Sequence, residues 1–343
     1  YNIYASTLDQ ADVNVMHERI DHGANLLKNN VFQFDFLNDD FSKLPQDLQD
    51  IINNEEKRKK LVVYINPPYA EGGSSKQKSG TGDYKKGVNE TITHDKYHNK
   101  LSGGNREIYA QFIARIYFEI PNCIIGEFSK LKILQSSNFA DFRNHFKAKL
   151  EKMFLVPADT FDNVKGKFPI GFKIWNLNKK ENFNKISADI YDTKATFIGE
   201  KNLYSNENGK YFSSFVNSIK LKNGTTVGWL EGTTRNSFQH NNIIQIINKK
   251  EQMSVPRGMN VYMENLINCT ICYTVRQCIE ATWLNDLDQF LYPNDGWQTD
   301  TEFQTDCLAF ALFHGQNRIT SSEGTNHWIP FTEQEVNAQA KFA

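Results

Sequence analysis

Apolar positions along this chain fall into short runs separated by polar, turn-forming stretches. The plainest run is Leu61-Val62-Val63-Tyr64-Ile65, β-branched and without helical period, closed by Asn66-Pro67-Pro68-Tyr69. It reads as a buried strand. Neither proline donates a backbone N–H, and Pro67 drives Asn66 out of helical geometry, so the chain leaves the sheet extended. Residues 1–5 and 31–37 read as further strands, with an amphipathic helix through Val13, Met16 and Ile20 between them. Residues 43–60 read as a solvated helix and connection without chemistry. Residues 71–105 carry Gly72, Gly73, Gly80, Gly82, Gly87, Gly103 and Gly104 with no convincing hydrophobic period, which predicts a long functional or disordered loop.

Beyond it, Ile108, Phe112, Ile113, Ile116 and Tyr117 recur at helical spacing over 107–118. A strand is predicted over 122–128, a helix over 139–154, and closing strands at 154–156 and 168–175, the last flanked by Lys165, Lys167 and Lys173. From residue 181 the pattern becomes turn-rich. Short strands are predicted at 211–216, 218–221 and 225–230, an apolar element at 261–278 and a buried helix at 306–314. The alternation of strands and helices predicts an α/β region over 1–180 and an α+β extension over 181–343.

At 343 residues the chain is long enough for one large domain or two ordinary ones. No run approaches the ~18 apolar residues of a membrane span, and no signal-peptide pattern opens the chain. Five cysteines, an odd number, argue against a secreted disulfide framework and for a reducing, cytoplasmic setting. Cys269-Thr270-Ile271-Cys272 has zinc-ligand spacing, but no second pair or His pair follows and the surroundings are apolar. Core packing is the expectation, with no metal. The net charge of −1 is uneven: residues 101–180 hold 13 Lys and Arg against 7 Asp and Glu. Only that region has the electrostatics a phosphate backbone rewards, and a solvated basic face explains the charge equally well.

Chemistry concentrates at residues 66–69. The end of a strand in an open α/β sheet is where ligands bind. Here it presents the Asn66 amide, the Pro67 carbonyl and the Tyr69 ring, two acceptors beside a stacking surface, which suit a planar group bearing an NH2. A plain Pro-Pro turn closing a strand is the bland alternative. Asn-Pro-Pro-Tyr after a hydrophobic strand resembles the catalytic motif of S-adenosylmethionine-dependent N6-adenine DNA methyltransferases of restriction–modification type. The motif also occurs in protein-glutamine and some RNA methyltransferases.

That resemblance covers about half of the chain, roughly residues 1–178. It implies a Rossmann-like methyltransferase sheet with helices on both faces, S-adenosylmethionine as cofactor and double-stranded DNA as partner, with a nuclease or specificity domain elsewhere. It implies that Asn66 and the Pro67 carbonyl, backed by Pro68, accept from the adenine amino group, and that Tyr69 stacks on the flipped base. In the cofactor site it places Asp9 on the ribose, unless Asp9 only caps the next helix. Asp35, with Asp39 as runner-up, takes the cofactor's adenine amino group, and Phe112 touches the adenine, unless it is core. Phe168 is the candidate for the other face of the target base. The family's first strand and glycine loop would lie just before Tyr1, so a partial core is expected. A noncatalytic DNA-binding fragment is the alternative from another class.

Overall fold

The computed structural model describes residues 2–68, 72, 87–161, 164, 168–205, 211–232, 244–247, 258–277, 282–285 and 295–313. Two compact units divide the chain, residues 1–156 with 170–205 and residues 157–169 with 206–343.

The first unit opens with β1 (Ala5–Thr7), α1 (Gln10–Asp21) and β2 (Val31–Gln33). The two strands pair in parallel, Thr7 opposite Gln33. Next come α2 (Gln46–Asn53), α3 (Glu55–Arg58), β3 (Val62–Ile65), α4 (Ile92–Leu101), α5 (Ile108–Glu119) and β4 (Ile124–Lys130). The unit closes with α6 (Lys132–Gln135), α7 (Ala140–His145), β5 (Lys149–Pro157), β6 (Pro169–Asn176), β7 (Lys185–Tyr191) and β8 (Phe197–Tyr204). Strands β3 to β8 form one mixed six-stranded sheet in the order β3-β4-β6-β5-β7-β8. Within it β3 runs parallel to β4, β4 antiparallel to β6, and the β7–β8 hairpin extends the sheet beyond β5. The architecture is therefore mixed α/β.

Three local expectations are corrected. Residues 139–154 are not one helix: α7 stops at His145, and β5 starts at Lys149 and buries Met153 and Leu155 at period two. Residues 211–216 are not a strand. They open α8 (Phe212–Ser218), because Phe212, Phe215 and Val216 bury one helical face and Ser214 Oγ accepts from Tyr211 N. Nor is 71–105 without regular structure. Thr91 caps α4, accepting from His94 N at 2.9 Å, and Thr93, Tyr97 and Leu101 are buried at one residue per turn. One buried side chain per turn is too sparse a stripe to read as an apolar period.

Period-two register gives the six-stranded sheet two unlike faces. On one, the rings of Tyr64, Phe128, Phe172 and Phe154 form a chain of contacts with centroids 4.8 to 6.5 Å apart. Gly126 makes this possible, since a Cβ there would come within 3.0 Å of Phe172 Cζ. The opposite face buries Ile125, Leu155 and Trp175, and Phe146, just past α7, meets Trp175 edge-on at 5.1 Å.

In the second unit α8 is followed by β9 (Thr226–Glu231), β10 (Gln245–Ile247), β11 (Gly258–Tyr262), α9 (Leu266–Gln277) and α10 (Thr301–Phe313). The strands form an antiparallel sheet in the order β10-β9-β11. Its core gathers Phe215, Leu230, Val261, Cys269, Cys272, Tyr273 and Cys307. Cys269 and Cys272 lie on α9, where burial pushes both thiols up to about 12. Protonated thiols packed in a core are poor metal ligands, and no His, Cys, Asp or Glu cluster among the described residues could hold a metal. No helix among them is long and apolar enough to cross a membrane.

Candidate functional site

Strand β3 ends at Ile65, whose register partner on β4 is Glu127. The chain then turns through Asn66, Pro67 and Pro68, with Pro67 buried and Asn66 and Pro68 exposed. The turn thus sits at the C-terminal end of a strand in a parallel pair, with its Asn side open to solvent. Tyr69 lies outside the described residues. Downstream, Gly72 N donates to the Arg106 carbonyl at 2.7 Å, and Gln111 Nε2 donates to the Val88 carbonyl at 2.8 Å. Both anchors converge on the N-terminal end of α5.

Asp9 and Asp35 follow neighbouring parallel strands, and Phe34 N donates to the Thr7 carbonyl between them. Their fates differ. Asp9 is exposed and caps α1, its Oδ1 accepting from Ala11 N at 2.8 Å. Asp35 shapes a turn: Oδ1 accepts from Leu37 N (3.0 Å) and Asn38 N (3.2 Å), and Oδ2 from Asn38 Nδ2 (2.8 Å). A carboxylate has about four lone-pair directions, so Oδ2 keeps capacity for one more donor. Beside it, the Phe36 N–H makes no hydrogen bond among the described residues. Asp39 is committed elsewhere, accepting from Asp35 N at 2.9 Å and pairing with Lys43. That hydrogen bond from Lys43, followed by the one from Asp35 N, holds its carboxyl below the usual carboxylate range. By the same count both acids keep acceptor capacity, and Asp35 is the one that directly precedes Phe36 and stays outside an ion pair among the described residues.

Phe112 stacks on Phe36, centroids 5.2 Å apart and planes 6° from parallel. The helix carrying Phe112 also grips the turn. Arg115 donates from Nη1 to the Phe36 carbonyl and from Nη2 to the Asp39 carbonyl at 2.6 Å. From the other side the Leu37 carbonyl accepts from Thr93 Oγ1 (2.7 Å) and N (3.1 Å), and Asn38 Oδ1 from Ile92 N (2.9 Å). Asp35, Phe36 and Phe112 are therefore brought together, and Gly72 and Val88 are held to Arg106 and Gln111 at the start of the same helix. Phe168 belongs to the other unit, where its carbonyl accepts from Ala158 N.

Arg115 and Phe36 were not anticipated from sequence. The available signal was a lone Arg among apolar positions on α5, and it is only 6% exposed. Lys173 was also misplaced: it is a fully buried residue rather than a basic flank, 3.4 Å from the equally buried Glu127. It donates to Ser129 Oγ (2.8 Å) and to the Ser129 and Gly171 carbonyls. Burial pushes the Glu127 carboxyl up and the Lys173 ammonium down, each opposed by the partner's charge. Other charges of the basic region are spent internally, Lys130 and Lys132 on Glu107, Lys149 and Lys179 on Glu151.

No protein-family model matches the chain, and no curated protein does. Among solved structures, the ATP-dependent Type ISP restriction-modification enzyme LlaBIII bound to DNA is similar at 11% identity and a TM-score of 0.37, over 70% of this chain and 21% of that one. A type I restriction-modification methyltransferase subunit from Streptococcus thermophilus matches at 12% and 0.36, over 85% and 48%. The type I restriction enzyme EcoKI M protein matches at 10% and 0.34, over 99% and 64%. The chain spans less than two thirds of each of these proteins, and the case for its function rests on its own residues.

Proposed function

We propose that this chain carries part of the catalytic core of an S-adenosylmethionine-dependent DNA adenine N6-methyltransferase of restriction–modification type. The observation that carries the proposal is the edge formed by Asp35 and Phe36. A carboxylate oxygen with spare capacity stands beside a backbone N–H that makes no hydrogen bond among the described residues, next to a ring stacked parallel on another. An acceptor beside a donor matches the N6–H and N1 edge of an adenine, and the aromatic pair suits its flat ring. Asp35, Phe36 and Phe112 would hold the adenine half of the cofactor, with Asp9 on the ribose if it gives up its cap. When bound, that cofactor supplies an electrophilic methyl group on a sulfonium.

Asn66 and Pro67 would act on the target. The exocyclic nitrogen of adenine is a weak nucleophile because its lone pair is delocalised into the ring. The Asn66 side-chain oxygen and the Pro67 carbonyl would accept its two N–H groups and hold the nitrogen with its lone pair out of the ring plane. That is positioning and electrostatic stabilisation, with no general base required. Extruding the base costs a few kcal/mol, which stacking on Tyr69 would offset by ~1–3 kcal/mol.

The experiment is transfer of labelled methyl from S-adenosylmethionine, with duplex DNA, RNA and glutamine-containing peptide as parallel acceptors. N6-methyladenine in digested duplex is the expected product. Label only in RNA or peptide would move the chain to a sister activity. No label in any acceptor, with duplex binding retained, would make it a noncatalytic DNA-binding module.

A further inference from the structure

We infer that Arg115 is a positioning residue for the adenine half of the cofactor, an inference that rests on the reading above. It touches neither proposed ligand. Its guanidinium bridges the Phe36 and Asp39 carbonyls, which bracket the turn that the Asp35 carboxylate shapes and that carries the Phe36 N–H. The same group lies 5.4 Å from the Phe36 ring centroid and 4.4 Å from that of Phe41, so the ring stacked on Phe112 is backed by a cation. Its third contact, Nε to Glu119 Oε2 at 3.1 Å, ties the fork to a carboxylate that also accepts from Lys96 (2.9 Å) and Tyr97 Oη (2.7 Å).

An ordinary packing role would not need a guanidinium. Phe36, Phe41 and Phe112 offer an apolar setting that an aliphatic side chain would fill without the cost of burying a charge. What only a planar fork supplies is two hydrogen bonds of fixed geometry to two carbonyls three residues apart. Lysine would bring the charge without the fork. Arg115 also follows Phe112 by three residues on the same helix, so one element sets both the stacking ring and the turn it faces.

The test measures S-adenosylhomocysteine binding by calorimetry, and KM and kcat for methyl transfer, in the full chain and in Arg115→Lys. Losing the bidentate contact should weaken S-adenosylhomocysteine and raise the cofactor KM at least about tenfold. kcat at saturating cofactor should stay within about twofold, as should duplex affinity. Because Arg115→Lys is open to misfolding, Glu119→Gln loosens the fork from its far side and should raise the cofactor KM in the same direction by about two- to threefold. Unchanged cofactor KM in both folded variants, or loss of kcat alone, overturns the positioning role and leaves the functional reading standing. Failure of both the unsubstituted chain and an N-terminally extended version to bind S-adenosylhomocysteine overturns that reading and this inference with it.

Discussion

Phe172 and Lys173 are neighbours on β6, and the sheet treats them in opposite ways. The ring lies on the half-open aromatic face with Tyr64 and Phe128, where Tyr64 is 64% exposed. The ammonium is fully buried on the other face with Glu127. Hydropathy alone would reverse the two. What decides is register: Lys173 pairs across the ladder with Glu127, and Phe172 with Phe128. One face thus spends electrostatic free energy to hold a charge pair in the core, and the other leaves aromatic area in contact with water. The pair's register places it beside Ile65, the last residue of the strand before the Asn66 turn.

The largest effect should come from breaking the buried pair. Lys173→Met leaves Glu127 without its cation and should destabilise the first unit by about 3–5 kcal/mol, read as a shift in urea midpoint. Adding Glu127→Gln should recover most of that loss. An unchanged midpoint in the single variant would mean the two faces are energetically alike. A smaller effect follows from pH. Burial of Glu119 opposes its charge, but hydrogen bonds from Lys96 and Tyr97, with the Arg115 guanidinium, outweigh that and hold its carboxyl below the usual range. A lowered folded pKa means stability present above the ordinary glutamate pKa and lost as pH falls through the lowered one. Glu119→Gln should flatten that acid limb of a stability–pH curve, and a superimposable curve would contradict the assignment. The smallest effect should be on the aromatic face. Tyr64→Ser should change stability by no more than about 0.5 kcal/mol, and a loss several times larger would show that face to be covered.

The strand before Asn66, the helix over 108–119 and the acid after β2 were legible because each carries a local signal: β-branched runs, a helical stripe, an acid after a short apolar strand. The strand before Asn66 is not the buried one its apolar run suggests, since it lies at the sheet's edge with Val62 and Tyr64 exposed. Asp9 reads from sequence as either ribose ligand or helix cap, and its contacts are those of a cap. What was hidden depends on partners far along the chain. Nothing near Arg115 announces carbonyls at Phe36 and Asp39, and nothing near Lys173 announces Glu127, because register and helix packing bring them together. The helix after Thr91 is hidden in the sequence because one buried residue per turn is a faint pattern beside many glycines.

The central claim is that Asn66 and Pro67 hold a target amino group at the rim of the sheet. Asn66→Ala tests it most directly, by labelled methyl transfer to adenine-containing duplex alongside duplex affinity. The prediction is a loss of transfer of at least about 10²–10³-fold with affinity nearly unchanged. Transfer at the unsubstituted rate would contradict it.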